Sequence, residues 1–587
     1  MRNKVTFFII FIYIFFIPSI WLSASQIYTY NDIMLSTSNN LGDFLKEYAG
    51  INLFAEGDMG QSRKISMRGA GAENVLFIID GQVMNSPSDN QKELKTIPME
   101  FIENIEIINA DPVIYGINSS GGIIKITTKK FRSKEPYSKI EISWGDFNNR
   151  IFNFNYGNQF KKFEYFLGIT KHSGVGKFPY NDYKGQNILA NLSYKYDSSI
   201  ILNITSGFYD DNVGHLVFFD TTSLPIMSGD EDKYQKLELT KIFEEYGNIN
   251  VSLSNHIVFN NFGKLDIYEE AERQDIKLNY EKKFNKYLSL VLGYEINKYL
   301  YSTILNSKEL KPENNDKTYF LRTNLYEIRN IDIILGYRFY DPENYSILGV
   351  PYFDLSYRIS DYLKINGYIY NDYTLPDFKD IYGDNLNQKP AKKPLIPSKS
   401  LSQGINMELG GESSQTIELK LYETNFIDFL STEHESNSNS IYTANIKDAY
   451  SKNIEIYLKN RFLSYFASEI GYSYITAREK TSNHFLPNEP RNKITYYLIF
   501  NKDFHKGDLN IGIKFGGEKI GQSFTALDNT EELSPYTLFN AKLVIRIVDI
   551  NFYWGASNMQ YTKYETRKGF PMPERRVTFG FNWEFID

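Results

Sequence analysis

Two acidic clusters are the residues of this sequence best suited to hold a metal ion. They are Asp210 and Asp211, followed by Asn212, and Asp230, Glu231 and Asp232. Carboxylate and amide oxygens are the hard ligands that Ca²⁺ prefers in proteins. We therefore treat the five carboxylates as candidate calcium ligands, and the alternative is that the two clusters are solvated loops. No cofactor is predicted to be required.

The spacing of residues along the sequence matches no catalytic or redox motif. The histidines are His172, His215, His256, His434, His484 and His505, and none of them lies in a metal-binding motif. A Gly-x-Ser-x-Gly nucleophile elbow is absent, and the chain has no cysteine. We predict that the protein is not an enzyme, with a triad assembled only in space as the remaining alternative.

Composition narrows the class of protein. The chain has 587 residues, of which 16% are aromatic and 23% charged, a net charge of −7 and a mean hydropathy of −0.39. A helical polytopic membrane protein needs repeated apolar runs of about 20 residues, and only the N-terminus has a candidate. A nucleic-acid partner is not expected from an acidic chain without a basic stripe. A transmembrane β-barrel fits, because its strands alternate lipid-facing apolar and lumen-facing polar residues.

The first 24 residues have the order of a secretory signal peptide. Arg2 and Lys4 precede an apolar run from residue 5 to 17, and the small residues Ser23, Ala24 and Ser25 follow. The alternative is a signal anchor, which the short apolar core and Pro18 disfavour. We expect cleavage near Ala24 or Ser25.

Behind the signal, two regions differ in their apolar pattern. Residues 26 to about 131 contain short continuous apolar runs, such as residues 75–79, and one helical stretch from residue 41 to 48, which predicts a small α/β domain. From residue 132 to 587 a period of two dominates, and it is perfect at the end of the chain in Val577, Phe579, Phe581, Trp583 and Phe585. A soluble β-sandwich or propeller is the alternative, but soluble domains seldom reach this length undivided.

Six motifs follow one another in the first region. They are residues 41–51 with their Gly-Ile ending, Ile65 to Arg68-Gly69, Val75 to Asp80-Gly81, Ile97-Pro98 with Glu106, Tyr115-Gly116, and Gly121-Gly122 before an Ile-rich strand. In this order and spacing they resemble the plug domain of TonB-dependent outer-membrane receptors. The family's usual Arg-Gly before the Tyr-Gly element is replaced here by Asn109-Ala110. Arg68, Asp80 and Glu106 can be interpreted in two ways. They either stabilise turns and the sheet within the domain, or they form ion pairs with the wall of a surrounding barrel.

The second region resembles the same family more loosely. Leu375-Pro376 to Tyr382 and Leu395 to Ser398 resemble its mid-barrel box, and Leu486-Pro487 with Pro490 resembles a hairpin element. Residues 569–576 are similar to the approach to the last strand in cobalamin-type members. Such members can bind calcium in carboxylate-rich outer loops, and the resemblance implies that position for the two acidic clusters. The chain ends in Asp587 and not in the aromatic residue common in such barrels.

The resemblance implies an all-β transmembrane barrel, residues 132–587, of 22 antiparallel strands, with an α/β plug, residues 41–131, inside its lumen. It also implies an outer-membrane receptor, expected to be a monomer in contact with outer-membrane lipid, that binds a small-molecule chelate and imports it by TonB-coupled rearrangement of the plug. The barrel region leaves few residues per connection, so most external loops are expected to be short and the ligand vestibule small.

Energy coupling of this kind needs a segment before the plug that can add as a strand to a TonB-like inner-membrane partner. Residues 25–40 contain one candidate, the coupling segment, formed by Ile27, Tyr28, Thr29, Tyr30, Asn31, Asp32 and Ile33. It has no clear family signature, and a disordered N-terminal tail is the alternative.

The ligand class is left open between a corrinoid and a ferric siderophore. The family's haem receptors use a histidine near the mid-barrel box, and this chain has no histidine between His256 and His434. The short loops and the C-terminal approach favour cobalamin or another corrinoid. The alternative function is a passive porin or surface binding protein that retains a plug-like domain.

Overall fold

The computed structural model describes residues 26–38, 40–130, 135–215, 226–262, 267–305, 308–384, 388–411, 415–434, 440–446 and 448–586. The signal peptide that we predict for residues 1–24 lies outside the described residues.

The first region folds as a small α/β domain, as its mixed periodicity predicts. Its elements are β1 (Gln26–Thr29), α1 (Tyr30–Leu35), α2 (Leu41–Leu45), β2 (Ile51–Ala55), β3 (Arg63–Met67), β4 (Val75–Ile79), β5 (Gln82–Val83), β6 (Ile102–Ile108), α3 (Pro112–Tyr115) and β7 (Gly122–Thr128). Short 3₁₀ turns lie at Ala72–Asn74, Leu94–Thr96 and Met99–Phe101. A five-stranded sheet has the order β1-β6-β7-β4-β5, and β2 and β3 form a separate hairpin. We call this domain the plug.

The core of the plug lies between its helices and the five-stranded sheet. All five residues of β4 are buried, as expected for a continuous apolar run that is covered on both faces. Leu41, Phe44 and Leu45 of α2 pack into the same cluster as Ile105 of β6. Asn40 caps α2 by accepting a hydrogen bond from the amide of Asp43 at 2.9 Å.

The second region forms 22 spanning strands. They are β8 (Tyr137–Gly145), β9 (Asn149–Phe160), β10 (Phe163–Gly174), β11 (Tyr183–Lys195), β12 (Ile200–His215), β13 (Ile226–Phe243), β14 (Gly247–Phe262), β15 (Ile267–Asn285), β16 (Leu288–Leu305), β17 (Glu313–Ile328), β18 (Ile331–Asp341), β19 (Leu348–Ser360), β20 (Leu363–Thr374), β21 (Ser398–Gly411), β22 (Gln415–Ile427), β23 (Asp448–Leu463), β24 (Phe466–Glu479), β25 (Asn492–Phe504), β26 (Leu509–Ile520), β27 (Tyr536–Ile547), β28 (Ile550–Ser557) and β29 (Arg576–Ile586). Neighbours pair antiparallel, and β29 pairs with β8 to close the barrel. The predicted 22-stranded antiparallel barrel with an α/β plug is confirmed.

The alternation of side chains decides which residues face outward. On the closing strand, Phe579 and Trp583 are 48% and 46% exposed, whereas Thr578 and Asn582 point inward and are buried. Successive residues of a strand point to opposite faces, so this pattern gives the barrel an apolar outer band and a polar lumen. No helix in the described part of the chain is long and apolar enough to span a membrane.

Connections at the two ends of the barrel differ in length. One end carries tight turns, such as residues 161–162 and 361–362, and a 3₁₀ turn at His505–Gly507. At the opposite end, the connections early in the chain are short, such as the 3₁₀ turn Asp146–Asn148, and those late in the chain are long. The long ones are 375–397 with α4 (Phe378–Tyr382) and Gln388–Lys389, 428–447 with Leu430–His434 and Ile441–Asn445, 521–535 with Ser523–Phe524 and Glu532–Leu533, and 558–575 with Glu565–Arg567 and Phe570–Pro571. The short strand Lys308–Leu310 pairs antiparallel with the end of β16. The short loops that we expected are therefore confined to the first half of the barrel.

Candidate functional site

A cavity of about 230 Å³ opens between the plug and the barrel at the end with the long connections. We call it the vestibule. Its wall is made by plug residues between Glu56 and Thr96, by the ends of β12 to β16, and by Lys379 of α4. The resemblance places the ligand above the plug, on this side of the barrel.

The vestibule is lined by more acidic than basic side chains. Its inward carboxylates are Glu56, Asp89, Glu93, Asp230, Asp232, Glu269 and Asp384, and its ammonium groups are Lys64, Lys92, Lys95 and Lys379. The described lining contains one phenyl side chain, that of Phe262. The vestibule therefore presents a polar surface with an excess of negative charge.

The five candidate calcium ligands do not lie together in an outer loop, contrary to our expectation. They belong to the neighbouring strands β12 and β13, and the alternation of those strands divides them. Asp211, Asp230 and Asp232 belong to the lumen-facing set, whereas Asp210 and Glu231, which are paired across the two strands, belong to the opposite set. Among the described residues, no group of three or more His, Asp or Glu side chains is arranged to hold a metal ion.

Plug lysines occupy the positions that a cation would take beside the inward carboxylates. The Lys95 ammonium lies 2.9 Å from a carboxylate oxygen of Asp211 and 2.5 Å from one of Asp230. Lys92 forms an ion pair with Asp232. We call Lys92, Lys95 and these three aspartates the lysine gate.

Asp232 is the most heavily bonded member of the lysine gate. Besides Lys92, it accepts a hydrogen bond from the Thr96 hydroxyl at 3.0 Å, and its other oxygen lies 3.0 Å from Nε2 of His256. A buried carboxylate is stable only when such partners compensate for the lost hydration. Asp232 therefore holds the plug turn at residues 92–96 against β13 and β14.

The Arg68-Gly69 motif makes a turn that the barrel holds by its backbone. Both residues have positive φ, 57° and 71°, and the Arg68 guanidinium donates to the carbonyl oxygen of Asn109 at 2.7 Å. The carbonyl oxygen of Arg68 accepts hydrogen bonds from the side chains of Ser451 at 2.6 Å and Asn453 at 3.1 Å. A Cβ atom at position 69 would lie 2.5 Å from the Ser451 hydroxyl, so only glycine fits there.

Asp80 and Gly81 form the turn between β4 and β5, and both have positive φ. The Asp80 carboxylate accepts a hydrogen bond from the backbone amide of Thr128, and Lys236 of the barrel donates to the Asp80 carbonyl oxygen at 2.9 Å. Glu106 pairs with Lys125 of the adjacent strand at 3.0 Å. The Asp80 turn thus also contacts the wall, whereas the ion pair of Glu106 lies within the plug sheet.

The remaining glycine motifs shape the end of the plug. Tyr115 ends α3, and Gly116 follows it with a φ of 120°. Gly121 and Gly122 lead into β7. A Cβ atom at Gly121 would lie 3.0 Å from the carbonyl oxygen of Asn74, so the two chain segments approach closely. These positions serve the packing of the plug.

The structure places the proposed coupling segment within the plug. Residues 26–29 are β1, an edge strand that pairs with β6, and Ile33 of α1 is buried in the plug core. The Tyr28 ring packs edge-on against Phe44 at 5.3 Å, and Tyr30 accepts a hydrogen bond from Lys139. The segment is therefore ordered and belongs to the plug. The plug begins before residue 41, where the sequence placed its start.

The structure also shows an interface that the sequence did not indicate. The Lys493 ammonium on β25 donates to three plug carbonyl oxygens, those of Lys46 at 2.5 Å, Tyr48 at 3.3 Å and Ile51 at 2.6 Å. Alternation could have placed Lys493 on the lumen side of its strand. Its partners are backbone atoms, which leave no signal in the sequence.

Comparison with known families agrees with this architecture. The model of the TonB-dependent receptor plug domain matches residues 22–123, and the TonB-dependent receptor-like β-barrel model matches residues 134–559. The chain therefore belongs to the TonB-dependent receptor family, whose members are receptors and transporters and not enzymes.

Individual relatives divide between two ligand classes. The vitamin B12 transporter BtuB of Vibrio vulnificus is 22% identical over 96% of this chain and 93% of its own length. A probable TonB-dependent siderophore receptor, PirA of Acinetobacter baumannii, is 31% identical over 18% of this chain and 16% of its own.

Solved structures share the fold. The PirA crystal structure from Acinetobacter baumannii gives a TM-score of 0.78 at 15% identity, covering 96% of this chain and all of that one. The FrpB iron transporter of Neisseria meningitidis gives 0.81 at 12% identity, covering 96% of this chain and 99% of that one. At these identities the likeness concerns the fold alone.

Proposed function

We propose that this protein is an outer-membrane importer of a corrinoid such as cobalamin, and that an inner-membrane TonB-like partner supplies the energy. The vestibule binds the ligand, and the plug then rearranges to let it pass to the periplasm. The full-length similarity to a vitamin B12 transporter supports the ligand class, and the apolar outer band of the barrel supports the location.

The charge of the vestibule is the observation that favours a corrinoid over a ferric siderophore. A polyanionic ferric siderophore would meet seven inward carboxylates and four ammonium groups, and each of those ammonium groups is already paired with a carboxylate. Like charges across a binding surface oppose association. A corrinoid without a large negative charge avoids this repulsion and uses the amide and hydroxyl groups of the lining.

Siderophore import is the second candidate, and the local match of the plug to a siderophore receptor favours it. A passive porin is a weaker fit, because plug residues bond to strands around the barrel, from Lys139 of β8 to Asn582 of β29. Titration calorimetry of the purified receptor with cyanocobalamin and with a ferric catecholate separates the two ligand classes. We expect binding of cyanocobalamin only, and binding of the catecholate alone would overturn the proposal.

Coupling is proposed to act on β1. It is an edge strand, and in the described chain only β6 pairs with it, which leaves its other edge for a strand from the partner. Because Ile33 and Tyr28 belong to the plug core, deletion of residues 27–33 would damage the plug as well. A substitution at Ile27, whose side chain is exposed, is the cleaner test.

Ile27→Pro removes one backbone donor of β1, and Ile27→Ala keeps it. In a host that lacks its own B12 receptor, we expect Ile27→Pro to bind labelled cyanocobalamin normally and to lose at least tenfold in uptake. Ile27→Ala should retain uptake. Full uptake by the proline variant would contradict coupling through β1, without affecting the assignment of the ligand.

A further inference from the structure

Three cavities adjoin along one side of the plug. The vestibule shares Lys92, Thr96 and Asp232 with a cavity of about 20 Å³, and it shares Lys95 with a cavity of about 50 Å³. Ile97 and Pro98 line both smaller cavities. The lysine gate is therefore the partition between the vestibule and two spaces that continue along β10 to β13.

The plug stretch beside these cavities contacts the barrel through side chains. In the described part of the chain, no main-chain atom of residues 92–101 forms a hydrogen bond with a barrel strand. Lys92, Lys95 and Thr96 make the polar contacts. Below them Phe101 packs with Tyr137, Phe166 and Leu189, as an apolar seal toward the middle of the barrel.

The opposite side of the plug is held by its main chain. We call β23 to β26 the anchor wall. In addition to the three bonds of Lys493, Ser473 donates to the carbonyl oxygen of Ala49 at 2.7 Å, and the amide of Gly50 donates to the Tyr457 hydroxyl at 3.0 Å. A Cβ atom at Gly50 would lie 2.2 Å from a carboxylate oxygen of Glu455. Here the backbone lies directly against the barrel.

We propose that the ligand passes along the lysine-gate side, between plug residues 92–101 and strands β10 to β14, while the anchor wall keeps the rest of the plug in place. The geometry favours this side because residues 92–101 can withdraw by turning side chains. On the anchor wall, the same movement would break backbone hydrogen bonds and leave buried carbonyl groups unpaired. Lys92 and Lys95 are therefore the gating residues of the path.

The chain has no cysteine, so paired cysteines can be placed without background. Lys95→Cys with Asp211→Cys joins the plug to the gate side, and Glu47→Cys with Lys514→Cys joins it to the anchor wall. The native pairs are matched ammonium–carboxylate contacts of 2.9 Å and 2.6 Å. Both double variants receive the same short bis-methanethiosulfonate cross-linker, which a reductant cleaves.

This inference rests on the proposed function for its substrate, labelled cyanocobalamin. Cross-linking at the gate should lower uptake at least tenfold relative to the reduced form of the same variant, with equal surface binding in the two forms, and reductant should restore uptake. The cross-linked anchor pair should keep uptake within twofold of its reduced form. Uptake that survives the gate cross-link, or equal loss in both pairs, would overturn the proposed path.

A second measurement needs no ligand. In planar bilayers, Lys92→Ala/Lys95→Ala/Phe101→Ala should conduct ions well above the native receptor. The matched anchor variant Lys46→Ala/Lys514→Ala/Tyr48→Ala should stay within twofold of native. Equal conductance in the two variants would overturn the path. If the native receptor takes up no cyanocobalamin but the conductances differ as expected, the proposed ligand is wrong and the path stands.

Discussion

The lysine gate and the anchor wall hold the same plug by different means. At the gate, ammonium and carboxylate side chains meet across a boundary that contains cavities. At the anchor wall, barrel side chains bind plug carbonyl oxygens, and glycines bring the backbone against the wall. Side-chain contacts can re-form with new partners after a movement, whereas a buried carbonyl that loses its donor remains unsatisfied. The difference separates a part of the plug that can move from a part that supports it.

The largest effect is expected at Lys493. Lys493→Met removes the donor to three plug carbonyl oxygens and a cation near the buried carboxylate of Glu518. Loss of one member of a buried charged group costs about 3–5 kcal/mol. Thermal unfolding in detergent should show the plug melting at a markedly lower temperature. The control Lys519→Met, at an exposed lysine in β26, should melt as the native protein does.

Glycines on the two sides should respond differently to added volume. Gly50→Ala places a Cβ atom 2.2 Å from Glu455 on the anchor wall, whereas at Gly185, on the gate side, the nearest atom is Cβ of Asp211 at 3.2 Å. Overpacking of a tight core costs about 1–3 kcal/mol. Chemical denaturation should show that loss for Gly50→Ala and less than half of it for Gly185→Ala. Equal losses would contradict the difference in packing.

The smallest effect is a pH dependence at the external end of the anchor wall. Burial raises the pKa of Glu489, in the connection after β24, from its ordinary value to about 7, and nearby Glu73 contributes. Between the two pKa values the folded protein binds a proton that the unfolded chain has released. The free energy of unfolding therefore falls as pH rises from about 4.5 to 7.

Glu489→Gln should flatten that dependence, because the amide does not titrate and can still accept the hydrogen bond that Asn52 donates. Unfolding curves measured from pH 5 to pH 8 provide the comparison. A native protein that becomes more stable across this range would show that the sign is wrong.

Alternation predicted much of the barrel, because each strand must show one face to lipid and the other to the lumen. The final run ending at Phe585 indicated its strand and its outward face. The same rule could have separated the acidic residues by the face of the strand on which they lie. Asp211 and Asp230 occupy lumen-facing positions, and Asp210 and Glu231 do not. We expected loops because charged residues are dense in the two acidic clusters. Strands β12 and β13 instead continue past the apolar band to the level of the plug lysines.

The contacts between plug and barrel could not be predicted in the same way. Lys92 and Lys95 lie in a polar stretch without periodicity, and their partners are more than a hundred residues away in the sequence. Lys493 binds backbone oxygens, which every residue possesses. The coupling segment was predicted only as a stretch able to add as a strand to a partner, and only the folded sheet shows that β1 pairs with β6.

Hydrogen exchange of the intact receptor, followed by mass spectrometry, tests the central difference between the two sides directly. We predict that the amides of residues 92–101, beside the lysine gate, exchange at least tenfold faster than those of residues 46–52, on the anchor wall. Equal protection of the two stretches, or faster exchange of residues 46–52, would contradict it.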